Sequence, residues 1–291
     1  MDLLRIRREI DLRLLFFVTL LWLFSLPLQG SELRFAVPAD ESSWYSSGDK
    51  LACRMWQEVP RFGTARFTAR AGGGLDLSFL LKREPAKKRR TATLQAVPPP
   101  WKHKLSSREI ARTTLHTGKK LVTFSRDATL RTLYELEKGM LPVLSLRDWA
   151  DARDRITVSL SPVNLTPVLQ QFQSCMGSLH PDGFDDVREL NVYFPVDSHQ
   201  LTEKGRATLR RIASYLEVDP SVIHVVLSGY ADSSGDELYN QELAQLRVDA
   251  VQEYLLEKGV PAESLITYNK GPQKGKNRAR NRRVHILLQK E

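Results

Sequence analysis

The strongest constraint on the fold of this chain is an alternation of strand and helix patterns over residues 190–291. Two amphipathic helices are predicted there, over 202–217 and 236–259, with the buried strand SVIHVVLSGY between them. A strand LNVYF precedes the helices, and two further strands, SLITYNK and RRVHILLQK, follow them. The order β-α-β-α-β-β favours an α/β sandwich with both helices on one face of a small sheet.

The two predicted helices carry start and stop signals as well as apolar faces. Thr202 and Asp236 lie where the helices start, and Gly259 follows the second helix as a stop. The first helix is expected to bury Leu209, Ile212, Ala213 and Leu216, and the second to bury Leu238, Leu243, Leu246, Ala250, Val251, Tyr254 and Leu255.

Residues 31–180 are predicted to form a separate β-rich domain with two helices. TARFTAR, LDLSFLL and TATLQAV alternate apolar and polar residues, as half-buried strands do. Helices are predicted within 125–139 and 161–176, and the turn-rich segment 181–189 is expected to be a linker. The predicted fold class is therefore α+β, with a β-rich domain followed by an α/β sandwich at 190–291.

The first 30 residues are predicted to be a signal peptide for export. Four arginines precede the uncharged run Leu14–Leu28, which is short for a membrane span, and Gly30-Ser31 is the expected cleavage point. An uncleaved membrane anchor is the alternative. Export predicts a periplasmic location.

The chain has two cysteines, Cys53 and Cys175. In an exported protein two cysteines most often pair, and Cys175 falls on the predicted inner face of its helix. A disulfide is therefore predicted, with two free buried thiols as the alternative.

The net charge of +9 raises the question of an anionic partner. The basic runs are KREPAKKRR, at Lys82–Arg90, and KGPQKGKNRARNRR, at Lys270–Arg283. Nucleic acid is not expected as a partner of an exported protein, so wall carboxylates or lipid phosphates fit better. For Lys82–Arg90, a solvated loop that favours solubility is an equal alternative.

The stretch GYADSSGDELYNQELAQLRVDAV places Asp232 near a helix start and Arg247 further along the same helix. We expect the strand to end at Leu227–Ser228 and Gly229 to help form a tight turn. A carboxylate suits an ammonium group and a guanidinium suits a carboxylate, so the two residues can hold a zwitterion. The alternatives are an Asp232–Arg247 salt bridge, or a turn-capping Asp232 with a solvated Arg247.

The last hundred or so residues resemble the OmpA-like peptidoglycan-binding family. The motifs that carry this resemblance are Gly229, Asp232, Gly235, Tyr239-Asn240, Leu243, Arg247 and Asn281-Arg282-Arg283-Val284. The resemblance implies that Asp232 and Arg247 hold the diaminopimelate of a peptidoglycan stem peptide. It makes Asn240 and either Arg282 or Arg283 secondary candidates. Tyr230 and Ala231 depart from the usual His and Thr, and Ala244 and Val248 from the usual Ser and Ala.

The N-terminal half resembles the MotY family of flagellar-motor proteins. The motifs are LACRMWQEVPRFGTARF, AVPPPWK, TLYELEKGMLPVL and FQSCMGSLHPDGFDDV, together with the LSPVN stretch. The resemblance implies a T-ring protein whose N-terminal domain docks on the flagellar basal body and a MotX partner. It also implies that the C-terminal domain ties the ring to the wall and helps to retain stator units.

Two other functions would each require features of their own in the sequence. A general tether between outer membrane and wall, unrelated to motility, would need a lipid-modified cysteine or a membrane barrel. A wall-cleaving enzyme would need a metal site or an activated nucleophile, and the six histidines show no metal-ligand spacing. The prediction is a non-enzymatic structural protein with no cofactor and no metal.

Overall fold

A computed structural model describes residues 31–82, 91–115, 118, 120–147, 154–274 and 278–291. The predicted signal peptide and all of the Lys82–Arg90 run except Lys82 lie outside this part of the chain. Across the described ranges, no helix is both long enough and apolar enough to cross a membrane.

The N-terminal half of the described chain contains two five-stranded sheets. One sheet has the strand order β1-β10-β9-β6-β7 and the other β2-β3-β4-β5-β8. The strands are β1 Glu32–Ala36, β2 Trp44–Gly48, β3 Ala52–Val59, β4 Gly63–Arg70, β5 Gly74–Leu81, β6 Thr91–Val97, β7 Arg108–Thr114, β8 Lys120–Phe124, β9 Leu141–Arg147 and β10 Arg155–Ser159. Helices α1 Arg126–Glu137 and α2 Leu165–Gly177 complete this half. The predicted β-rich region with two helices is confirmed.

Alternating apolar residues create the core of this half. In β6, for example, Ala92, Leu94 and Ala96 are fully buried while the residues between them are partly exposed. Helix α2 adds Leu169 and Phe172 to the same core, as its predicted inner face requires. The sheets and both helices therefore share a single apolar cluster.

The predicted disulfide is confirmed. Cys53 in β3 and Cys175 in α2 are bonded, with their Cα atoms 6.0 Å apart, so the alternative of two free thiols is wrong. The bond lies next to Gly48, where a Cβ atom would come within 2.4 Å of the Cys175 sulfur. The crosslink joins the inner face of one sheet to the helix that covers it.

The C-terminal half forms the predicted α/β sandwich. Its sheet has the order β11-β14-β12-β13, in which only the β12–β13 pair is parallel. The strands are β11 Glu189–Tyr193, β12 Val222–Asp232, β13 Leu265–Gln273 and β14 Arg283–Lys290. The helices are α3 Phe184–Val187, α4 Glu203–Val218, α5 Glu237–Glu257 and α6 Arg278–Asn281.

The start and stop signals of the two long helices are confirmed. The Thr202 hydroxyl accepts a hydrogen bond from the Gly205 N–H at 3.1 Å, which caps α4. The Asp236 carboxylate accepts one from the Tyr239 N–H at 2.8 Å, which caps α5. Gly259 follows α5 with a φ of 85°, the left-handed conformation that ends many helices.

The predicted apolar face of α5 is partly wrong. Leu243, Val251, Tyr254 and Leu255 are buried as expected, but Leu238 is 81% exposed and Leu246 is 38% exposed. The face that packs on the sheet instead includes Ala244, Arg247 and Val248. A buried arginine, Arg247, lies in the middle of this face. Because the predicted face was chosen from apolar residues alone, it is rotated around the helix axis relative to the face that is buried.

The segment expected to be a linker is folded. It contains α3, and the Asp186 carboxylate accepts a hydrogen bond from the Gly183 N–H at 2.8 Å. Asp182 pairs with Arg211 of α4 at 2.6 Å, and Leu51 of the N-terminal half packs against the C-terminal core. The placement of the domain boundaries at 181 and 189 stays a prediction.

Candidate functional site

The central strand β12 leads directly into the candidate site. It runs through Asp232, beyond the predicted end at Leu227–Ser228, because it pairs with β13 as far as Asp232 and with β14 as far as Tyr230. Gly229 is therefore a strand residue and not part of the turn. A Cβ atom on Gly229 would lie 2.4 Å from Val248 Cγ2 and 2.5 Å from the Ala244 carbonyl oxygen. Only glycine allows α5 to approach β12 this closely.

Asp232 lies at the end of β12 and is only 7% exposed. Its Oδ1 accepts hydrogen bonds from the Ser234 N–H, at 3.0 Å, and from the Ser234 hydroxyl. Its Oδ2 accepts one from Arg282 Nη1 at 3.3 Å. Burial raises the pKa of Asp232, but the bonds from Ser234 and Arg282 outweigh burial, so the pKa lies below its usual value. Asp232 is a stable carboxylate at neutral pH.

Arg247 of α5 is fully buried beside this strand end. Its guanidinium donates to three backbone carbonyl oxygens, at Ser198 (2.9 Å), Tyr230 (3.2 Å) and Pro195 (3.2 Å). The guanidinium carbon also lies 5.4 Å from the centre of the Phe194 ring. Burial, assisted by the nearby charge of Arg282, lowers the pKa of Arg247 to about 10, so it remains a cation at neutral pH.

These contacts separate the predicted site residues into two groups. Asp232, Arg247 and Arg282 lie together, and the Asn240 amide joins them by donating to the Ser234 carbonyl oxygen at 2.7 Å. Arg283 is separate, because its guanidinium stacks 4.3 Å from the Tyr230 ring centre and donates to the Arg280 carbonyl oxygen.

The structure also decides between the alternatives for Asp232 and Arg247. Arg282 is the ion-pair partner of Asp232 in the described part of the chain, so a direct Asp232–Arg247 salt bridge is not formed. The alternative of a solvated Arg247 is wrong, because the side chain has no exposed surface. The turn-capping role of Asp232 is confirmed by its bond from the Ser234 N–H.

Sequence reasoning missed the segment that covers Arg247. Residues 194–198 cross over the guanidinium and supply Phe194 and the carbonyl groups of Pro195 and Ser198. Asp197 of the same segment, with a φ of 52°, accepts a hydrogen bond from the Tyr239 hydroxyl of α5, which raises the pKa of Tyr239. The contribution of residues 194–198 could not be predicted from residue spacing, because this segment lies about 50 residues before Arg247.

The charges and free donors of the cluster suit a small zwitterion. Two carboxylates, Asp232 and Asp197, balance two guanidinium groups, Arg247 and Arg282. An arginine has five N–H donors, and backbone carbonyl groups accept from three of those on Arg247, so two are unused, although residues 194–198 cover them. Asp232 keeps acceptor capacity on Oδ2 beyond its single bond from Arg282. The cluster therefore places an unused carboxylate acceptor and unused guanidinium donors close together beneath residues 194–198.

Comparisons with known proteins agree with this architecture. The model of the MotY N-terminal domain matches residues 35–181, and the model of the OmpA family matches residues 193–285. The chain is 28% identical, over 88% of its length and 90% of the relative, to the sodium-type flagellar protein MotY of Vibrio parahaemolyticus. It is 32% identical, over 37% of its length and 69% of the relative, to the peptidoglycan-associated lipoprotein of Buchnera aphidicola.

Some solved structures are similar to about a third of the chain. The peptidoglycan-associated lipoprotein from Burkholderia pseudomallei is 30% identical, covering 34% of this chain and 89% of that one, with a TM-score of 0.31. The periplasmic domain of Helicobacter pylori MotB is 20% identical, covering 35% of this chain and 76% of that one, also with a TM-score of 0.31. Since the MotY N-terminal model covers half of the 291 residues and the OmpA match follows it, the chain belongs to the MotY family.

Proposed function

We propose that the protein is a non-enzymatic periplasmic component of the flagellar motor that anchors the basal-body ring and the stator units to peptidoglycan. The observation that carries this proposal is the buried cluster of Asp232, Arg247 and Arg282 in a chain of the MotY family. A relative that matches over nearly the whole chain is named as a flagellar protein, which supports the motor context.

The proposed ligand of the cluster is the diaminopimelate of a peptidoglycan stem peptide, which carries an ammonium and a carboxylate on the same carbon. Arg247 would bind the carboxylate with its two remaining N–H groups once the covering residues 194–198 move aside, and Asp232 would bind the ammonium. Arg282 and Asn240 would hold the Asp232 turn in place. Arg283 is left out of this proposal because of its position on the Tyr230 ring.

The charged side chains of the site are held in position before a ligand arrives, and only the covering residues 194–198 must move to admit it. The hydrogen bonds that hold Arg247 come from backbone carbonyl groups, and those that hold Asp232 come from a turn and from Arg282. Little side-chain entropy is then lost on binding, which favours affinity for a small group. Ala231, where the resemblance leads us to expect threonine, is fully buried and brings no hydroxyl to the site.

The N-terminal half is proposed to dock on the basal body and a MotX-like partner. Stators push on the rotor, so the reaction force must reach a rigid network such as the wall. Individually weak wall contacts around one ring would add through avidity. The two halves touch through Leu51, which packs against the C-terminal core, and through the His180 ring, whose Nε2 lies 3.1 Å from the Ser214 Oγ of α4. Force would pass through these contacts and the folded segment between the halves.

A general envelope tether unrelated to motility is the second candidate, and the similarity to a peptidoglycan-associated lipoprotein favours it. Swimming speed in a deletion strain separates the two. For a motor protein, cells keep normal filaments but lose swimming, and the wild-type chain restores it. Normal swimming of the deletion strain would support the plain tether.

A further inference from the structure

The outer face of the sheet β2-β3-β4-β5-β8 carries a row of large side chains that the wall clamp does not use. Tyr45, Trp56 and Arg66 are consecutive partners in the strand register, on three neighbouring strands. Tyr45 and Trp56 stack with their ring centres 5.7 Å apart, and Tyr45 is 48% exposed. The opposite face of the same sheet is the one that packs against α2, through buried residues such as Cys53 and Met55.

Arg66 in this row is partly buried, and one of its hydrogen-bond donors has no acceptor among the described residues. Its Nε atom is inaccessible to solvent and has no hydrogen-bond partner in the part of the chain that the structure describes. A buried donor left unpaired costs about 1–3 kcal/mol, more when the group is charged. Most buried polar groups in proteins have a hydrogen-bond partner, so this one marks Arg66 as unusual within the sheet.

The neighbouring charges leave this part of the face positive. Arg54 points to the same side two residues before Trp56, is exposed, and makes no ion pair with any described residue. Arg70 is already neutralised by its pair with Asp76. Glu58 lies on the same face, but it pairs with neither Arg54 nor Arg66 among the described residues. Arg54, two residues away on β3, and Arg66, the partner on β4, therefore adjoin Trp56, and neither forms an ion pair with another described residue.

We infer that this face is a docking surface for an acidic segment of another protein. Tryptophan, tyrosine and arginine are the residues that most often dominate the energy of protein–protein contacts. A carboxylate placed over Trp56 would reach both guanidinium groups, and its apolar neighbours would cover the Tyr45–Trp56 stack. This inference rests on the N-terminal half alone and is independent of the wall clamp.

The test uses the full-length protein and a fluorescent probe peptide in which aspartate alternates with leucine. The control peptide replaces each aspartate with asparagine. We expect the acidic peptide to bind at least tenfold more tightly than the control peptide. Arg66→Gln should remove most of that difference. Arg34→Gln removes the same charge from a residue that is paired with Glu32 on the other sheet, and it should leave binding unchanged.

The remaining outcomes contradict the inference. Equal binding of the two peptides, or of wild type and Arg66→Gln, would overturn it. Binding to phosphatidylglycerol vesicles that exceeds binding to the acidic peptide and depends on Arg66 would assign the face to a membrane. Peptidoglycan sedimentation of the Arg66→Gln protein should match wild type, which shows that the variant folds and keeps the two functions distinguishable.

Discussion

The Asp232 carboxylate and the Arg282 guanidinium lie 3.3 Å apart, and this pair joins the end of β12 to the residue before β14. The same guanidinium reaches the Phe194 carbonyl oxygen through its Nε, at 3.4 Å. Arg282 thus connects the proposed ammonium-binding carboxylate to the segment that covers Arg247. The adjacent Arg283 has the same charge and belongs to a different part of the surface.

This difference between two neighbouring arginines gives the first prediction. Arg282→Gln should weaken binding to purified peptidoglycan about tenfold, because a charge-assisted hydrogen bond contributes roughly 1.5–3 kcal/mol. Arg283→Gln is the matched control. It should change binding less than about twofold, because a single charge near the surface and outside the cluster contributes little. Co-sedimentation with wall sacculi measures both. Equal losses in the two variants would mean that general charge attraction, and not the cluster, holds the wall.

The close approach of α5 to β12 gives the second prediction. Gly229→Ala would place a methyl group 2.4 Å from Val248 Cγ2, so the helix must shift. The expected loss of unfolding free energy is about 1–3 kcal/mol, typical of overpacking. Urea denaturation measures it, with Gly177→Ala as the control, because a Cβ on Gly177 meets no atom within 4 Å. A Gly229→Ala protein as stable as wild type would show that α5 does not depend on this contact.

The disulfide gives the third prediction. Cys53 and Cys175 are 122 residues apart, and closing a loop of this size restricts the unfolded chain by about 4–5 kcal/mol. Replacing both cysteines with serine should lower the unfolding free energy by up to that amount. Wild type should show the same loss in the presence of a reductant. Identical denaturation curves with and without reductant would contradict a structural role for the bond.

Local chemistry made several elements in both halves of the fold predictable. The caps at Thr202 and Asp236 and the stop at Gly259 depend on single residues and their immediate neighbours, and all three were placed correctly. The strand Thr91–Val97 was predicted with the bounds it has in the structure, because its alternation is regular. Structural features that depend only on residues close together in the sequence could be predicted.

Features that depend on distant parts of the chain were missed. The length of β12 is set by pairing with β13 and β14, so its extension to Asp232 has no local signal. The burial of Arg247 depends on the carbonyl groups of residues 195 and 198, which accept its hydrogen bonds. A helix pattern considered by itself predicts that an arginine is exposed to solvent. Asp232 and Arg247 themselves were found through a family resemblance, since their spacing alone is compatible with an ordinary salt bridge.

The most direct test of the central claim is the binding of Asp232→Asn to purified sacculi. This substitution keeps the shape and the turn of Asp232 but removes the charge proposed to hold the ligand ammonium, so the fold should be preserved. Arg247→Lys is a useful second variant, although it also removes donors from three carbonyl groups. Circular dichroism and thermal unfolding establish that each variant is folded.

We expect Asp232→Asn to sediment with sacculi at least tenfold less well than wild type. Free diaminopimelate should compete with wild-type binding, and Arg283→Gln should behave as wild type. If folded Asp232→Asn and Arg247→Lys proteins both sediment as wild type does, and diaminopimelate does not compete, the cluster at the end of β12 is not the wall-binding site.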